Sequence, residues 1–138
     1  MATDNANVSA LRKAYRRWAD TKGGSIDPWV DLCSENMQFR SLAEGAPGLE
    51  FTTARRTRSE VASYLTALVA EWEMLHYEVV TYVAEADRVV AIGHCSWRHR
   101  GTGKVVDTPK VDLWRFRDGR AVEFFELYDT ARVLEGTR

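Results

Sequence analysis

Two acidic residues near the end of the chain lie in strongly aromatic surroundings. Asp112 belongs to the run VDLWRF and Glu126 to the run FFELYD. A carboxylate among aromatic side chains loses solvation, so it is usually neutral, hydrogen-bonded or functional. Two carboxyls in one apolar cavity also differ in proton affinity, so one can act as a general acid and the other as a general base.

A predicted β-hairpin brings these two residues together. Asp118-Gly119, between two alternating runs, is the strongest short-range signal for a hairpin turn. If Phe116 and Val122 flank the turn, Asp112 and Glu126 lie on one face of neighbouring strands, directly opposite or diagonal to each other.

Both acids also have a purely structural interpretation. Asp112 could be a buried carboxyl whose hydrogen bonds are satisfied by neighbouring backbone or by a tyrosine hydroxyl. Glu126 could pair with Arg115 or Arg120 at the rim of the sheet. The spacing of the residues leaves these alternatives open.

The first half of the chain has helical periodicity. Apolar residues at helical spacing predict a helix over 7–20, which Lys22-Gly23-Gly24 ends. Asp27-Pro28 predicts an N-cap and a first helical residue for a short helix that reaches Ser34. Thr57-x-x-Glu60 is a capping box and predicts a third helix that extends to Trp72.

The remaining segments alternate with a period of two, which is typical of strands. We expect a short strand at 37–41, a loop at 42–54 with a little strand near Phe51, and long strands near 75–84, 88–99, 104–117 and 120–129. Helices followed by an antiparallel meander indicate the α+β class.

This order predicts one domain, residues 1–138, built as a cone-shaped α+β barrel. A strongly curved mixed or antiparallel sheet would be closed on one face by the three helices of the N-terminal half. An open cone is a natural pocket for a small molecule. The candidate wall residues are the aromatic ones, Trp18, Trp29, Phe39, Trp72, Trp97, Trp114, Phe116, Phe124 and Tyr128.

Composition excludes several classes of partner. The net charge is −1, so the basic footprint of a nucleic-acid-binding domain is absent. No apolar run approaches the roughly 18 residues of a membrane span. The N-terminal run MATDNANVSALRKAY has no apolar segment of signal-peptide type, so we expect no membrane association and a cytoplasmic location. Cys33 and Cys95 would then be reduced and buried.

The sequence shows no motif for a metal or a cofactor. His94 and His99 are five residues apart on one predicted strand and face opposite sides, with His94 pointing outward. Neither they nor His76 show a metal-binding spacing, and no glycine-rich phosphate loop occurs. We therefore expect no metal site and no cofactor.

The order of elements resembles the superfamily of ketosteroid isomerases and SnoaL-type polyketide cyclases, whose fold nuclear transport factor shares. The resemblance rests on the segment GGSIDPW after the first helix and on the closing segment VDLWRFRDGRAVEFFELYDT. It covers nearly the whole chain and implies the fold. Members include isomerases, cyclases, dehydratases, epoxide hydrolases and non-catalytic binding domains, so it implies no single reaction.

The resemblance also implies roles for individual residues. Asp112 falls where ketosteroid isomerases carry the aspartic acid of the oxyanion hole. Ser41 falls where they carry the general-base aspartate, and serine cannot serve as that base, so Glu126 becomes the candidate partner. Tyr15 lies near the tyrosine of the oxyanion hole, although Arg17 or Trp18 fits that position as well.

We therefore expect a protein that binds a hydrophobic small molecule. As an enzyme it would perform cofactor-independent acid/base chemistry, with Asp112, Glu126 and Tyr15 as catalytic candidates and Ser41 and Tyr128 among the ligand-binding ones. The reaction would be isomerisation, aldol cyclisation, dehydration or epoxide opening of a polyketide-, steroid- or terpenoid-like substrate. The alternative is a non-catalytic ligand-binding or dimerisation module.

The opposite face of the predicted hairpin is also apolar. Leu113, Phe125 and Leu127 project from it, and such a patch is unfavourable in open solvent. We therefore expect this face to be covered by a second subunit in a two-fold homodimer.

Overall fold

Helices and strands alternate in the first half of the chain, and strands dominate the second half. The computed structural model describes residues 5–138, whereas residues 1–4, the start of the N-terminal run considered above, lie outside it. The helices are α1 (Ala6–Asp20), α2 (Ile26–Leu32), α3 (Arg58–Glu71) and α4 (Thr130–Gly136). The strands are β1 (Cys33–Ser41), β2 (Arg55–Thr57), β3 (Trp72–Glu85), β4 (Arg88–His99), β5 (Val105–Arg117) and β6 (Arg120–Tyr128).

The strands form one mixed sheet with the order β2-β1-β6-β5-β4-β3. Strands β1 and β6 run parallel, and the other neighbouring pairs are antiparallel. The sheet is not closed, because β2 and β3 are its two edges. Helices α1, α2 and α3 pack on its inner face, and the main core lies between them and the sheet. This arrangement confirms the α+β class. Among residues 5–138, no helix has both the length and the apolar content of a membrane span.

Helix α1 is confirmed within one residue of its predicted start. The Asn5 side chain caps its first turn by accepting hydrogen bonds from backbone N–H groups. Leu11, Tyr15 and Trp18 recur at helical spacing and are buried against the sheet. The helix ends before Gly23, whose φ of +84° suits a residue without a Cβ.

Helix α2 begins earlier than predicted and ends earlier too. Its N-cap is Ser25, so Asp27 and Pro28 lie inside the first turn. Proline is tolerated there because the first N–H groups of a helix have no intrahelical partner, and an acidic side chain stabilises that end. The helix ends at Leu32 because Cys33 already pairs with β6.

The capping box of α3 is confirmed, because Thr57 accepts a hydrogen bond from the Glu60 N–H while the Glu60 side chain accepts one from the Thr57 N–H. Its predicted end is wrong by one residue. Trp72 has the extended angles φ −125° and ψ 142° and is the first residue of β3. Its side chain packs with Leu49 and Val106 in a second apolar cluster.

The loop after β1 differs from the expectation near Phe51. A short 3₁₀ helix occupies Glu50–Thr52, and the extra strand is β2 instead. The Thr52 hydroxyl donates to the carbonyl of Leu49 and accepts from the N–H of Gly45. These local hydrogen bonds compete with strand pairing and favour a turn.

The hairpin of β5 and β6 confirms the prediction that matters most for the site. Asp118 and Gly119 have φ of 51° and 79°, the left-handed values of a type I′ turn. Asp112 and Glu126 are direct cross-strand partners, and both are buried.

Close to the turn, the predicted register is wrong by one residue. Phe116 pairs with Ala121 rather than with Val122, because an irregularity between Arg115 and Phe116 adds one residue to β6. Ala121 is consequently the fully buried residue, and Val122 is only partly buried.

Helix α4 was not predicted, so residues 5–138 contain one α-helix beyond the expected three. Asp129 caps it by accepting a hydrogen bond from the N–H of Arg132. The helix packs on the second apolar cluster through Val133 and Leu134. With seven residues it is too short to show a clear helical period in the sequence.

Candidate functional site

The sheet and the helices line a partly open cavity of about 110 Å³. Its wall is predominantly aromatic, and polar side chains from β5 and β6 converge at one place in it. Among the predicted wall residues, those that line the cavity are Trp18, Trp29, Phe39, Trp72, Trp97, Trp114, Phe124 and Tyr128.

Two of the predicted binding residues, Ser41 and Phe116, are not among the residues that line the cavity. Ser41 is buried, and its Oγ lies 2.5 Å from the hydroxyl of Tyr128. The side chain that lines the cavity at this place is that of Tyr128. Phe116 is buried near the hairpin turn and stacks on Trp114, which forms the wall there.

The centre of the polar cluster is Lys110, which the sequence analysis did not identify. Its Nζ lies 2.6 Å from Asp112 Oδ1 and 2.9 Å from Glu126 Oε2, so one ammonium bridges both carboxyls. The side chains of these three residues are only 12%, 3% and 11% exposed. The sequence did indicate that Lys110 could join Asp112, because it lies two residues earlier on β5 and therefore on the same face of the strand.

Helix α1 contributes a hydrogen-bond donor to this cluster. The hydroxyl of Tyr15 donates to Asp112 Oδ2 and in turn accepts a hydrogen bond from Trp114 Nε1 at 2.9 Å. Among the alternatives considered for this position, Arg17 is exposed on the other side of the helix. The structure therefore favours Tyr15.

Two further tyrosines contact the carboxyls. Tyr64 of α3 donates its hydroxyl to Glu126 Oε1. Tyr77 of β3 donates to Asp112 Oδ2 at 3.3 Å and accepts from Lys110 Nζ at 3.3 Å. Helical periodicity alone would mark Tyr64 as a buried residue of α3 without indicating a polar partner for its hydroxyl.

Burial and mutual charge set the protonation of the cluster. Burial raises the pKa of Asp112, the Lys110 ammonium lowers it in part, and the charge of Glu126 raises it again. Burial alone would lower the pKa of Lys110, but the carboxyls of Asp112 and Glu126 outweigh burial and hold this pKa well above its usual value. Lys110 is therefore a permanent cation, and Asp112 holds its proton more tightly than an ordinary aspartic acid.

The tyrosines of the cluster remain neutral donors. Burial, followed by the charge of Asp112, raises the pKa of Tyr15 and of Tyr77 well above the usual value. Burial and the charge of Glu126 do the same for the pKa of Tyr64. Phenolate chemistry is thus disfavoured, and each hydroxyl serves as a hydrogen-bond donor.

The buried cysteines are poor nucleophiles. Cys33 and Cys95 are free thiols that line the cavity. Burial raises the pKa of Cys33 to about 12 and that of Cys95 to about 11. Since the thiolate is the reactive form, both behave as small apolar side chains.

The rim ion pair considered for Glu126 is not formed. Arg115 pairs with Asp87 at 3.1 Å and with Glu123 at 3.3 Å, on the outer side of the sheet. Arg120 donates to the backbone carbonyl of Asp31 at 2.9 Å. Glu126 instead faces inward, toward Lys110.

Comparison with known proteins identifies the family. The family model of the SnoaL-like domain matches residues 11–124. In sequence, the chain matches none of the curated proteins.

Solved structures share the fold at low sequence identity. An NTF2-like protein from Burkholderia thailandensis E264 superposes with a TM-score of 0.82 at 18% identity, covering 98% of this chain and 99% of that one. An NTF2-like protein from Burkholderia xenovorans LB400 gives 0.81 at 18% identity, with coverages of 99% and 98%. A candidate SnoaL-like polyketide cyclase from Jannaschia sp. CCS1 gives 0.78 at 17% identity, with coverages of 99% and 97%. At these identities the likeness concerns the fold, whereas the family match spans most of the sequence: the chain belongs to the SnoaL-like domain family.

Proposed function

We propose that this protein is a cofactor-independent acid/base enzyme acting on a hydrophobic small molecule. The observation that carries the proposal is the pair Asp112 and Glu126, bridged by Lys110 at the wall of an aromatic cavity. Such a cluster combines a proton donor, a proton acceptor and a fixed positive charge within reach of one ligand.

The net charge of the cluster indicates which carboxyl acts as the acid and which as the base. With both carboxyls ionised, the cluster would carry one positive and two negative charges in an apolar cavity. One bound proton removes the excess negative charge, and the raised pKa of Asp112 favours that residue as its carrier. Asp112 then donates a proton to a substrate oxygen while Glu126 accepts one from carbon or from water.

The transfer leaves the charge of the cluster unchanged. Asp112 loses one proton and Glu126 gains one, so Lys110 remains opposite a single carboxylate before and after the step. Lys110 thus stabilises either arrangement without moving, which is the preorganisation that proton-transfer catalysis requires. Tyr15 and Tyr77 donate to Asp112 and stabilise it once it is ionised.

This chemistry suits isomerisation, aldol cyclisation, dehydration or epoxide opening of a polyketide-, steroid- or terpenoid-like substrate. Each of these reactions requires protonation of an oxygen or removal of a proton from carbon or water. The cavity of about 110 Å³ is somewhat smaller than the roughly 150 Å³ cavity that admits benzene in another protein. A polyketide-, steroid- or terpenoid-like substrate is larger than benzene, so side chains that line the cavity must move to admit it.

One observation favours the rival function, a non-catalytic ligand-binding module. Each oxygen of the two carboxyls already has a hydrogen-bond partner, as expected of a network that serves structure alone. The two functions differ in their outcome, because a binding module would take up the same ligands without exchanging their protons.

Proton exchange in D₂O tests the proposal without knowledge of the natural substrate. A panel of monocyclic ketones is offered to the protein, and quenching of tryptophan fluorescence reports binding, because tryptophans line the cavity. Mass spectrometry then measures deuterium incorporated next to the carbonyl. We expect exchange above the buffer rate, and a loss of roughly 10²- to 10⁴-fold in Asp112→Asn and in Glu126→Gln.

Glu123→Gln is the matched control. Glu123 lies on β6 but on the outer side, where it pairs with Arg115, so the substitution removes the same charge outside the cavity. It should retain full exchange. Ketones that bind without exchange in the unmodified protein would contradict the enzymatic proposal and support the binding module.

A further inference from the structure

Two histidines and a glutamate meet on the outer face of the sheet, away from the cavity. The ligand atoms of His76, Glu78 and His94 all lie within 4.8 Å of one another. Nε2 of His76 is 3.5 Å from Oε2 of Glu78, and the two imidazole rings have centroids 5.0 Å apart.

The register of β3 and β4 explains why these three side chains lie together. Glu78 of β3 is the direct cross-strand partner of His94 of β4. A β-bulge between Met74 and His76 adds one residue to β3, so Met74 faces the core while His76 joins Glu78 on the outer face. The three side chains therefore project from two adjacent, hydrogen-bonded strands, which hold their Cα positions rigidly.

The donor set matches a borderline divalent cation. Imidazole nitrogen suits Zn²⁺, Ni²⁺ and Cu²⁺, and a carboxylate oxygen completes many such sites. With bonds of about 2.0–2.1 Å, ligand atoms of a tetrahedral zinc site are roughly 3.3 Å apart. The separation between His76 and Glu78 is already 3.5 Å, and rotation of the exposed His94 side chain brings in the third ligand.

The cluster is also accessible to a metal ion from solvent. The side chains of His76 and Glu78 are 50% and 53% exposed. Within residues 5–138 the Glu78 carboxylate lies beside the His76 imidazole, and no lysine or arginine pairs with it. We infer that His76, Glu78 and His94 form a binding site for a transition-metal dication such as Zn²⁺, with water in the remaining coordination positions.

Calorimetric titration of the full chain with zinc chloride tests the site, with the amount of zinc counted per chain. We expect one saturable equivalent, which excess Mg²⁺ does not displace because Mg²⁺ prefers oxygen ligands. Loss of a group that merely supports a metal ligand costs roughly 10- to 100-fold in affinity, so removing two ligands in His76→Gln/His94→Gln should cost at least about 100-fold.

Glu85→Gln serves as the control, since Glu85 is an exposed acid at the end of the same strand and outside the cluster. It should bind zinc as the unmodified chain does, whereas Glu78→Gln should bind more weakly. All substituted residues are exposed, and near-ultraviolet circular dichroism verifies that the fold is retained. Absence of saturable binding, or equal affinity in the double variant, would overturn the inference.

Discussion

The carboxyls of Asp112 and Glu126 face each other across β5 and β6 and share the ammonium of Lys110, at 2.6 Å and 2.9 Å. Two like charges at directly opposed positions of a sheet are destabilising unless a cation or a proton intervenes. Here Lys110 supplies the cation, and the raised pKa of Asp112 makes it the favoured carrier of a proton. Stability and the proposed chemistry therefore depend on the same three groups.

Replacing Lys110 by methionine should destabilise the fold strongly. The apolar part of the side chain is retained, but the two carboxyls lose their cation inside the cavity. Breaking a buried ion pair by removing one partner lowers the free energy of unfolding by about 3–5 kcal/mol. Urea denaturation at neutral pH measures the change. Lys104→Met, which removes an exposed charge just before β5, should cost no more than about 0.5 kcal/mol. Similar small effects in both variants would disprove the bridging role.

The pKa of Asp112 predicts a pH dependence of stability. Burial raises this pKa, so the folded chain keeps a proton that the unfolded chain has released. The resulting stabilisation is complete below the ordinary pKa of aspartic acid and is lost as pH rises through the raised value. The stability of the unmodified protein relative to Asp112→Asn should therefore fall as the pH rises above the ordinary pKa of aspartic acid, about 4. The fall is about 1.4 kcal/mol for every pH unit that separates the pKa of Asp112 in the folded chain from its pKa in the unfolded chain.

Urea denaturation of both proteins across this pH range tests the sign. Subtracting the two curves removes the titration of the carboxyls that the proteins share. A difference that stays constant with pH, or that grows as pH rises, would show that Asp112 is ionised throughout.

Substituting Gly93 should disrupt the pairing of β3 and β4. A Cβ at this position would lie 1.8 Å from the backbone oxygen of Glu78, and backbone cannot rotate out of the way. We expect Gly93→Ala to lower the free energy of unfolding by about 3 kcal/mol or more. In Gly103→Ala the new Cβ meets no atom within 4 Å, so only the left-handed φ of +78° is unfavourable for alanine. We expect this substitution to lower the free energy of unfolding by roughly 1–2 kcal/mol. Equal stabilities of the two variants would contradict this close approach of the strands.

We propose that the apolar patch on the outer face of β5 and β6 joins two copies of the chain, leaving the site of His76, Glu78 and His94 on β3 and β4 uncovered. Leu113 is 38% exposed on this patch, and Phe125 and Leu127 are partly buried. Covering such a patch with its two-fold copy removes apolar surface from water. Analytical ultracentrifugation at micromolar concentration should show a dimer mass, and Leu113→Lys should shift it toward the monomer. A monomer mass for the unmodified chain would refute the proposal.

Local chain geometry explains what the sequence alone determined. Strand alternation and the Asp118-Gly119 turn placed Asp112 and Glu126 on one face, because successive side chains point to opposite sides of a strand. The capping box at Thr57 and the apolar spacing of α1 likewise depend only on residues within one or two turns. The same alternation places Lys110 on the face of β5 that carries Asp112. Lysine side chains are usually exposed, however, so the sequence alone did not indicate that Lys110 belongs to the buried cluster.

Only the tertiary structure decided which groups surround the carboxyls. Tyr15, Tyr64 and Tyr77 come from three different elements, and their contacts depend on how α1, α3 and β3 pack. Helical or strand periodicity marks a tyrosine as buried but does not reveal the partner of its hydroxyl. A bulge such as the one before His76 adds a residue to a strand and leaves no clear signal in the sequence. Because the side-chain period of a strand is two, every residue beyond the bulge then points to the opposite face of the sheet.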